Sequence, residues 1–164
     1  MSETNLVYTV DPVSLITCIN SHLSNNDLLT RPKYFNILKT SVGKQNAPIQ
    51  NDWLYTRAAS LLRKIACFSY KKSDNNYKNL LSKKTKSKDR SDYFNIMTIL
   101  STYGCKKDRG TRPGKKVRCN KTHIISILED FKKLNWIKKT TDGHFLLTEA
   151  GLEFINEMVG KCQK

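Results

Sequence analysis

The sequence predicts a mainly α-helical, winged-helix-like bundle with a short β-hairpin wing. Three observations predict it. Amphipathic helical patterns fill the first and last thirds of the chain, one clear hairpin signal lies between the last two helical patterns, and the order helix, hairpin, helix follows an earlier helix pair. A chain of 164 residues is the length of one domain, here expected to span 1–164, and is long enough to bury a real core.

The first helix is expected to start at Asp11-Pro12, a capping acid followed by proline at the first helical position. Val13, Ile16, Ile19 and Leu23 recur at helical spacing after it, and Asn25-Asn26 ends the run. A shorter helix is expected from Pro32, with Tyr34, Phe35, Ile37 and Leu38 as its apolar residues; Gly43 and Asn46-Ala47-Pro48 stop it. The third helix, from Asn51-Asp52 to about Cys67, has the clearest stripe: Leu54, Ala58, Leu61, Leu62 and Ile65. Trp53, Arg57, Ser60 and Lys64 gather along one edge of that stripe, and Arg63 projects further round. Trp53 reads as a core or lid residue, whereas Arg57 and Lys64 form a cationic ridge beside a buried face.

Between 69 and 102 the pattern weakens into a lysine-rich insertion, in which Tyr93, Phe94, Ile96, Met97, Ile99 and Leu100 form a strand or a short helix docked on the body. Residues 103–121, rich in Gly, Lys and Arg, read as an extended basic loop that orders only on a partner. Beyond it the pattern is clear again. Asn120 or Thr122 caps a helix bearing Ile124, Ile125, Leu128, Phe131 and Leu134. Trp136-Ile137 opens a strand, Thr141-Asp142-Gly143 makes the turn, and Phe145-Leu146-Leu147 returns. Thr148 caps a last helix with Leu152, Ile155, Met158 and Val159.

The net charge of +15 is concentrated. Residues 1–30 carry three acids and no Lys or Arg, and 122–164 balance six Lys against six acids; 57–121 hold 19 Lys or Arg against four Asp. The acids of 122–164 alternate with lysines as a solvated helix face does. A field concentrated in one segment attracts polyanions, and each phosphate it neutralises releases condensed counterions. Lys106, Lys107, Arg109, Arg112, Lys115, Lys116 and Arg118 supply point charges and guanidinium forks for phosphate oxygens, and Gly104, Gly110 and Gly114 let the backbone approach. The stretch feeds a helix start at Asn120, Lys121 and Thr122, whose free amides also favour an anion.

Other chemistries find little support. His22, His123 and His144 lie far apart and outside any nucleophile or metal motif, and no phosphate-binding glycine signature occurs. The five cysteines, Cys18, Cys67, Cys105, Cys119 and Cys162, are scattered, with no CxxC pair to begin a zinc site and no disulfide framework. Neither enzyme activity nor a metal or cofactor is expected. No apolar run has the length of a membrane span, and Met1 opens onto a polar stretch instead of a signal peptide, so a cytosolic or nuclear protein is expected. The helix expected at 122–135 carries Glu129 and Asp130 midway, which favours reading backbone shape on structured RNA over base edges in a DNA groove. A winged-helix DNA-binding regulator is the alternative, and a protein-only adaptor a third class.

At Ala47-Pro48 and through Trp53-Leu54-Tyr55-Thr56-Arg57-Ala58-Ala59-Ser60 the chain resembles the small-subunit ribosomal protein nineteen family of eukaryotes and archaea, for which Trp-x-Tyr-Thr-Arg-Ala-Ala-Ser is characteristic. Tyr103-Gly104 with the basic loop, Arg118-x-x-Lys121-Thr122, and Asp142-Gly143, Leu147-Thr148 and Gly151 match as well, so the resemblance covers nearly the whole chain except about 69–102. It implies a winged-helix-like body in the head of the small ribosomal subunit, bound to small-subunit rRNA and to neighbouring ribosomal proteins of the head. It also implies a part in maturing the rRNA precursor, a cytoplasmic location on the ribosome with a nucleolar assembly stage, and no small-molecule substrate. By motif match, Arg57, Arg63, Arg118 and Lys121 are its rRNA contacts. The chain departs from the family in its longer lysine-rich 69–102, in Cys119 where the family prefers Gly, and in a first helix without lysines.

Overall fold

The computed structural model describes residues 6–33, 35–73, 95–107, 111, 113–141 and 143–163. In chain order the elements are α1 (Leu6–Thr9), α2 (Pro12–Asn25), a 3-10 turn (Phe35–Ile37), α3 (Trp53–Ser73), α4 (Ile96–Thr102), β1 (Cys105–Lys107), β2 (Lys115–Val117), α5 (Lys121–Lys133), β3 (Ile137–Lys139), β4 (Phe145–Leu147) and α6 (Glu149–Cys162). β1 pairs antiparallel with β2, and β3 with β4.

The caps sit where the sequence puts them. Asp11 accepts hydrogen bonds from the Val13 and Ser14 amides at 3.0 and 2.9 Å, and Pro12 opens α2 without wasting a donor. Asn120 caps α5 through the Thr122 amide at 2.9 Å, and Thr148 caps α6 through the Gly151 amide at 3.3 Å. α3 is the axis of the fold, packed against α1, α2, α6 and β4. Its stripe Leu54, Ala58, Leu61, Leu62 and Ile65 is buried throughout, and joins Leu15, Ile19 and Leu23 of α2, Ile124, Ile127, Leu128 and Phe131 of α5, and Phe154, Ile155, Met158 and Val159 of α6. Each large apolar side chain so buried contributes about 1.5–3 kcal/mol.

The wing is welded to the body. Ile137, Phe145 and Leu147 are buried, Trp136 stacks on Phe154 with centroids 4.2 Å apart, and the Leu147 amide donates to Ser69 Oγ at 3.0 Å. Gly151 is required here, because a Cβ at that position would stand 2.3 Å from the Trp136 carbonyl oxygen.

Several expectations are corrected. Val13 points outward, 70% exposed, and Leu15 takes the core position, because the buried face of α2 runs through 15, 19 and 23. The helix expected from Pro32 is one 3-10 turn with Ile37 73% exposed; Tyr34 lies outside the described residues. Backbone groups that a longer helix would have used pair elsewhere: the Asn120 amide donates to the Thr40 carbonyl at 2.9 Å, and Ser41 bridges Cys119. α3 runs on to Ser73, six residues past the expected end, and the end of the lysine-rich insertion is the helix α4, with Asn95 capping the Thr98 amide at 3.0 Å; Tyr93 and Phe94 lie outside the described residues. The stretch 103–121 is not one extended loop, since it contains the β1–β2 hairpin and a buried Cys119. Asp130 is no solvated acid. It is 4% exposed, and accepts from the Thr30 amide at 2.9 Å, the Thr30 hydroxyl at 3.0 Å and Lys133 Nζ at 2.9 Å, tying α5 to the end of the α2 turn.

Candidate nucleic-acid interface

Trp53, Arg57, Ser60 and Lys64 lie along one edge of α3 because they are spaced by four, three and four residues. Tertiary structure lays two more rings against that edge. Phe35 stacks on Trp53, with centroids 5.3 Å apart and planes 7° from parallel, and Tyr103, at the root of the β1–β2 hairpin, covers the other end. The Arg57 guanidinium carbon is 5.6 Å from the Trp53 ring centre and 5.7 Å from that of Tyr103, and Lys64 Nζ is 4.3 Å from the Tyr103 centre. Arg31 extends the row, 5.9 Å from Phe35 and 5.5 Å from Tyr55. The result is a row of interleaved cations and rings, with one ring-on-ring stack at its centre: Lys64, Tyr103, Arg57, Trp53, Phe35, Arg31, Tyr55.

The row is short of negative charge. Asp27 meets Arg31 at 3.9 Å and accepts the Tyr55 hydroxyl, yet among the described residues no carboxylate forms an ion pair with Arg57 or Lys64. Arg57 Nη1 and Arg63 Nε are buried without a hydrogen-bond partner. Burial alone pulls the Arg57 guanidinium below its ordinary pKa, while burial and then the like charge of Arg63 pull the Lys64 ammonium down. His123, 1% exposed and tilted against Trp53 at 5.2 Å, is pushed down by burial and then by Arg57. Burial pushes the Tyr103 hydroxyl up to about 12, against the bond it shares with Ser60 at 3.0 Å, so the ring stays neutral beside both cations. Such a cluster is electrostatically unfinished: its cations are partly desolvated and lack counter-charge, so an arriving anion is worth more there than on an open surface. Trp53 is only 8% exposed, with Phe35 and Arg57 against it, so it offers no free face for base stacking. The chemistry on offer is charge toward phosphate.

The hairpin adds exposed charge. Lys106 pairs with Lys116 and Lys107 with Lys115, so directly opposed side chains carry the same sign. Only Cys105 and Val117 at its root are half-buried. Gly104 lets the strands close, because a Cβ there would lie 2.3 Å from the Val117 carbonyl oxygen. The root is pinned by the Cys119 amide donating to Leu100 at 3.0 Å and by the Ser41 hydroxyl donating to the Arg118 carbonyl at 2.9 Å. Arg118 is exposed, with Nη1 3.9 Å from Met97 Sδ, and Lys121 is exposed at the first turn of α5.

The structure thus gathers Arg57 and Lys64 around Tyr103, at the root of the hairpin that bears Lys106, Lys107, Lys115 and Lys116, with Arg118 and Lys121 at the following junction. Arg63 lies on the neighbouring line of α3, where its field reaches both Asp11 and Lys64. Arg109 and Arg112 fall outside the described residues. Sequence reasoning did not find the ring partners Phe35 and Tyr103, nor Arg31 and His123. Tyr103-Gly104 ahead of the basic stretch was the one usable signal, and no periodicity links it to Lys64.

The family profile for ribosomal protein S19e matches residues 6–164. The chain belongs to that family. It is similar to the small ribosomal subunit protein eS19 of Encephalitozoon cuniculi, 28% identical over 158 residues that make up 96% of this chain and 97% of the relative. It also resembles those of Thermoplasma acidophilum, 25% identical over 90% of this chain and 87% of the relative, and Oryza sativa subsp. japonica, 24% identical over 98% and 94%. The S19e fold is a winged helix, with α5 as the helix before the wing and β3–β4 as the wing itself. Much of the charge of this S19e protein precedes α5, on α3 and the β1–β2 hairpin. No described helix is long and apolar enough to cross a membrane.

Proposed function

We propose that this S19e protein is a structural, non-catalytic constituent of the small ribosomal subunit. In this reading it sits in the subunit head as a single domain over 1–164, between small-subunit rRNA and neighbouring ribosomal proteins, and is needed to assemble the subunit and mature its rRNA. The phosphate contacts are Arg57, Arg63 and Lys64 on α3, Lys106, Lys107, Lys115 and Lys116 on the β1–β2 strands, Arg109 and Arg112 between those lysines in the sequence, and Arg118 and Lys121 at the start of α5. It works in the cytoplasm after a nucleolar assembly stage.

The observation that carries this reading is the half-buried Arg57, held between Trp53 and Tyr103 with Nη1 unpartnered and no carboxylate in reach among the described residues. Keeping a cation partly desolvated and unpaired is unfavourable for an isolated fold. A phosphate backbone supplies the missing charge and accepts the free N–H groups of the guanidinium. The relatives named as small ribosomal subunit proteins support the same reading.

The test is incorporation. Arg57→Glu or Arg118→Glu, expressed beside the wild-type chain, is expected to be depleted from purified small subunits by mass spectrometry, while each isolated variant keeps its helical circular dichroism. Normal incorporation of both variants contradicts the assignment.

A further inference from the structure

Away from the basic interface, Cys18 of α2 faces Met158 and Cys162 of α6, which stand one turn apart on the same side of that helix. The helices run antiparallel here, so that Cys18 faces Met158 and, one turn along each helix, Ser14 faces Cys162. Cys18 Sγ lies 4.0 Å from Met158 Sδ and 3.9 Å from the Met158 carbonyl oxygen. Cys162 Sγ lies 3.8 Å from the Ser14 carbonyl oxygen, one turn of α2 before Cys18, and burial and then the neighbouring Cys18 push its thiol above the ordinary value. Met158 is 1% exposed, whereas both thiols are half-exposed and free. A buried thioether therefore floors a pair of thiols that solvent can reach.

The donor set selects its ligand. Among the described residues no group of three or more His, Cys, Asp or Glu is placed to hold a metal, so a tetrahedral zinc site or an oxygen-lined site for a hard cation is not built here. Two thiols and a thioether are soft, polarisable donors, the combination that favours copper(I). The spacing agrees. With metal–sulfur bonds of about 2.3 Å, three sulfurs around a trigonal ion stand about 4 Å apart, close to the 4.0 Å between Cys18 and Met158.

We propose that Cys18, Cys162 and Met158 form a three-sulfur site for a soft monovalent cation of the copper(I) type. On binding, the two S–H bonds break and two protons leave to solvent. Two thiolate–copper bonds and one thioether–copper bond form, and copper remains cuprous throughout, so no oxidant or reductant is consumed. The bound ion links the last turn of α6 to the middle of α2. Neither helix carries a residue of the proposed rRNA contact, so the site is separable from that function.

The experiment uses the reduced full-length chain under anaerobic conditions, titrated with copper(I) in acetonitrile-containing buffer against a bicinchoninate competitor. Iodoacetamide labelling is then mapped cysteine by cysteine by peptide mass spectrometry. One equivalent is expected to slow labelling of Cys18 and Cys162 by at least about tenfold while leaving Cys67 and Cys105 at their metal-free rates. Cys18→Ser and Cys162→Ser are expected to abolish the protection. Met158→Leu, which nearly conserves volume, is expected to weaken copper(I) by at least about tenfold with an unchanged circular dichroism spectrum. Unprotected Cys18 and Cys162, equal protection of Cys67 and Cys105, or a Met158→Leu variant of wild-type affinity would each overturn the site.

Discussion

The described residues include two antiparallel hairpins of the same size, β1–β2 and β3–β4, each with three paired residues per strand. Their backbones are alike and their side chains are not. In β3–β4, Ile137, Phe145 and Leu147 are buried, with β4 packed on α3 and α6 and β3 on α5. In β1–β2 the paired positions are Lys opposite Lys, twice, and the Cys105–Val117 pair at the root is the half-buried one. A two-stranded ribbon is marginal alone in water, so each needs outside support. The wing takes it from the core within the chain. The lysine hairpin takes it from glycine-tight closure at Gly104 and the pins at Cys119 and Ser41, and it leaves its charge unmatched.

The largest effect that sharpens this contrast is Phe145→Ala in the wing. Removing a buried aromatic ring costs about 3–5 kcal/mol, and urea unfolding is expected to show that loss. The corresponding truncation in the other hairpin, Val117→Ala, removes a half-buried side chain and is expected to cost less than about 1.5 kcal/mol. Equal losses would break the comparison.

Beside Trp53 and Arg57, the lowered pKa of His123 makes stability depend on pH. Its folded value lies below the ordinary 6.5, because burial and then Arg57 disfavour the imidazolium. The folded state therefore binds fewer protons than the unfolded chain, and stability is full above 6.5 and declines as pH falls below it. Thermal melts from pH 7.5 to 5 are expected to show a falling midpoint, and His123→Gln to flatten that fall between 6.5 and 5. An unchanged slope in the variant would remove His123 from the account.

The smallest expected effect runs against intuition. Lys116→Ala removes one of two directly opposed lysines and is expected to raise stability by about 0.2–1 kcal/mol. A measurable loss would mean that the Lys106–Lys116 pair is compensated within the fold.

The contrast between the hairpins also explains what was legible in the sequence. The wing could be read from its turn residues and apolar strands, the α3 stripe from spacing, and the caps at Asp11 and Thr148 from residue type, with α5 left between Asn120 and Thr122, because those signals are local. The strands Cys-Lys-Lys and Lys-Lys-Val carry no apolar alternation, so β1–β2 read as a loop. Its support is long-range, from Thr40, Ser41 and Leu100. The turn at Phe35–Ile37 was overread as a helix for a related reason: four apolar or aromatic residues lie close together, but one of them, Phe35, is spent on Trp53, and Ile37 faces solvent. Asp130 looked like one more surface acid until Thr30, a hundred residues earlier, supplied its donors. At the site, the edge Arg57–Lys64 was visible from helical spacing, while the rings that clasp it came from Phe35 and Tyr103, which no period connects to α3.

The central claim is that phosphate completes the charge left unmatched on α3 and the lysine hairpin. The most direct test is the salt dependence of binding between the purified chain and small-subunit rRNA, for the wild type and for Lys106, Lys107, Lys115 and Lys116 replaced together by Ala. The wild type is expected to bind with a steep negative slope of log affinity against log salt. The variant is expected to lose up to about 0.7–0.9 from that slope for each contact removed, while its helical content stays unchanged. Equal slopes for the two proteins would contradict the account, because the hairpin's charge would then face solvent in the complex as it does in the free chain.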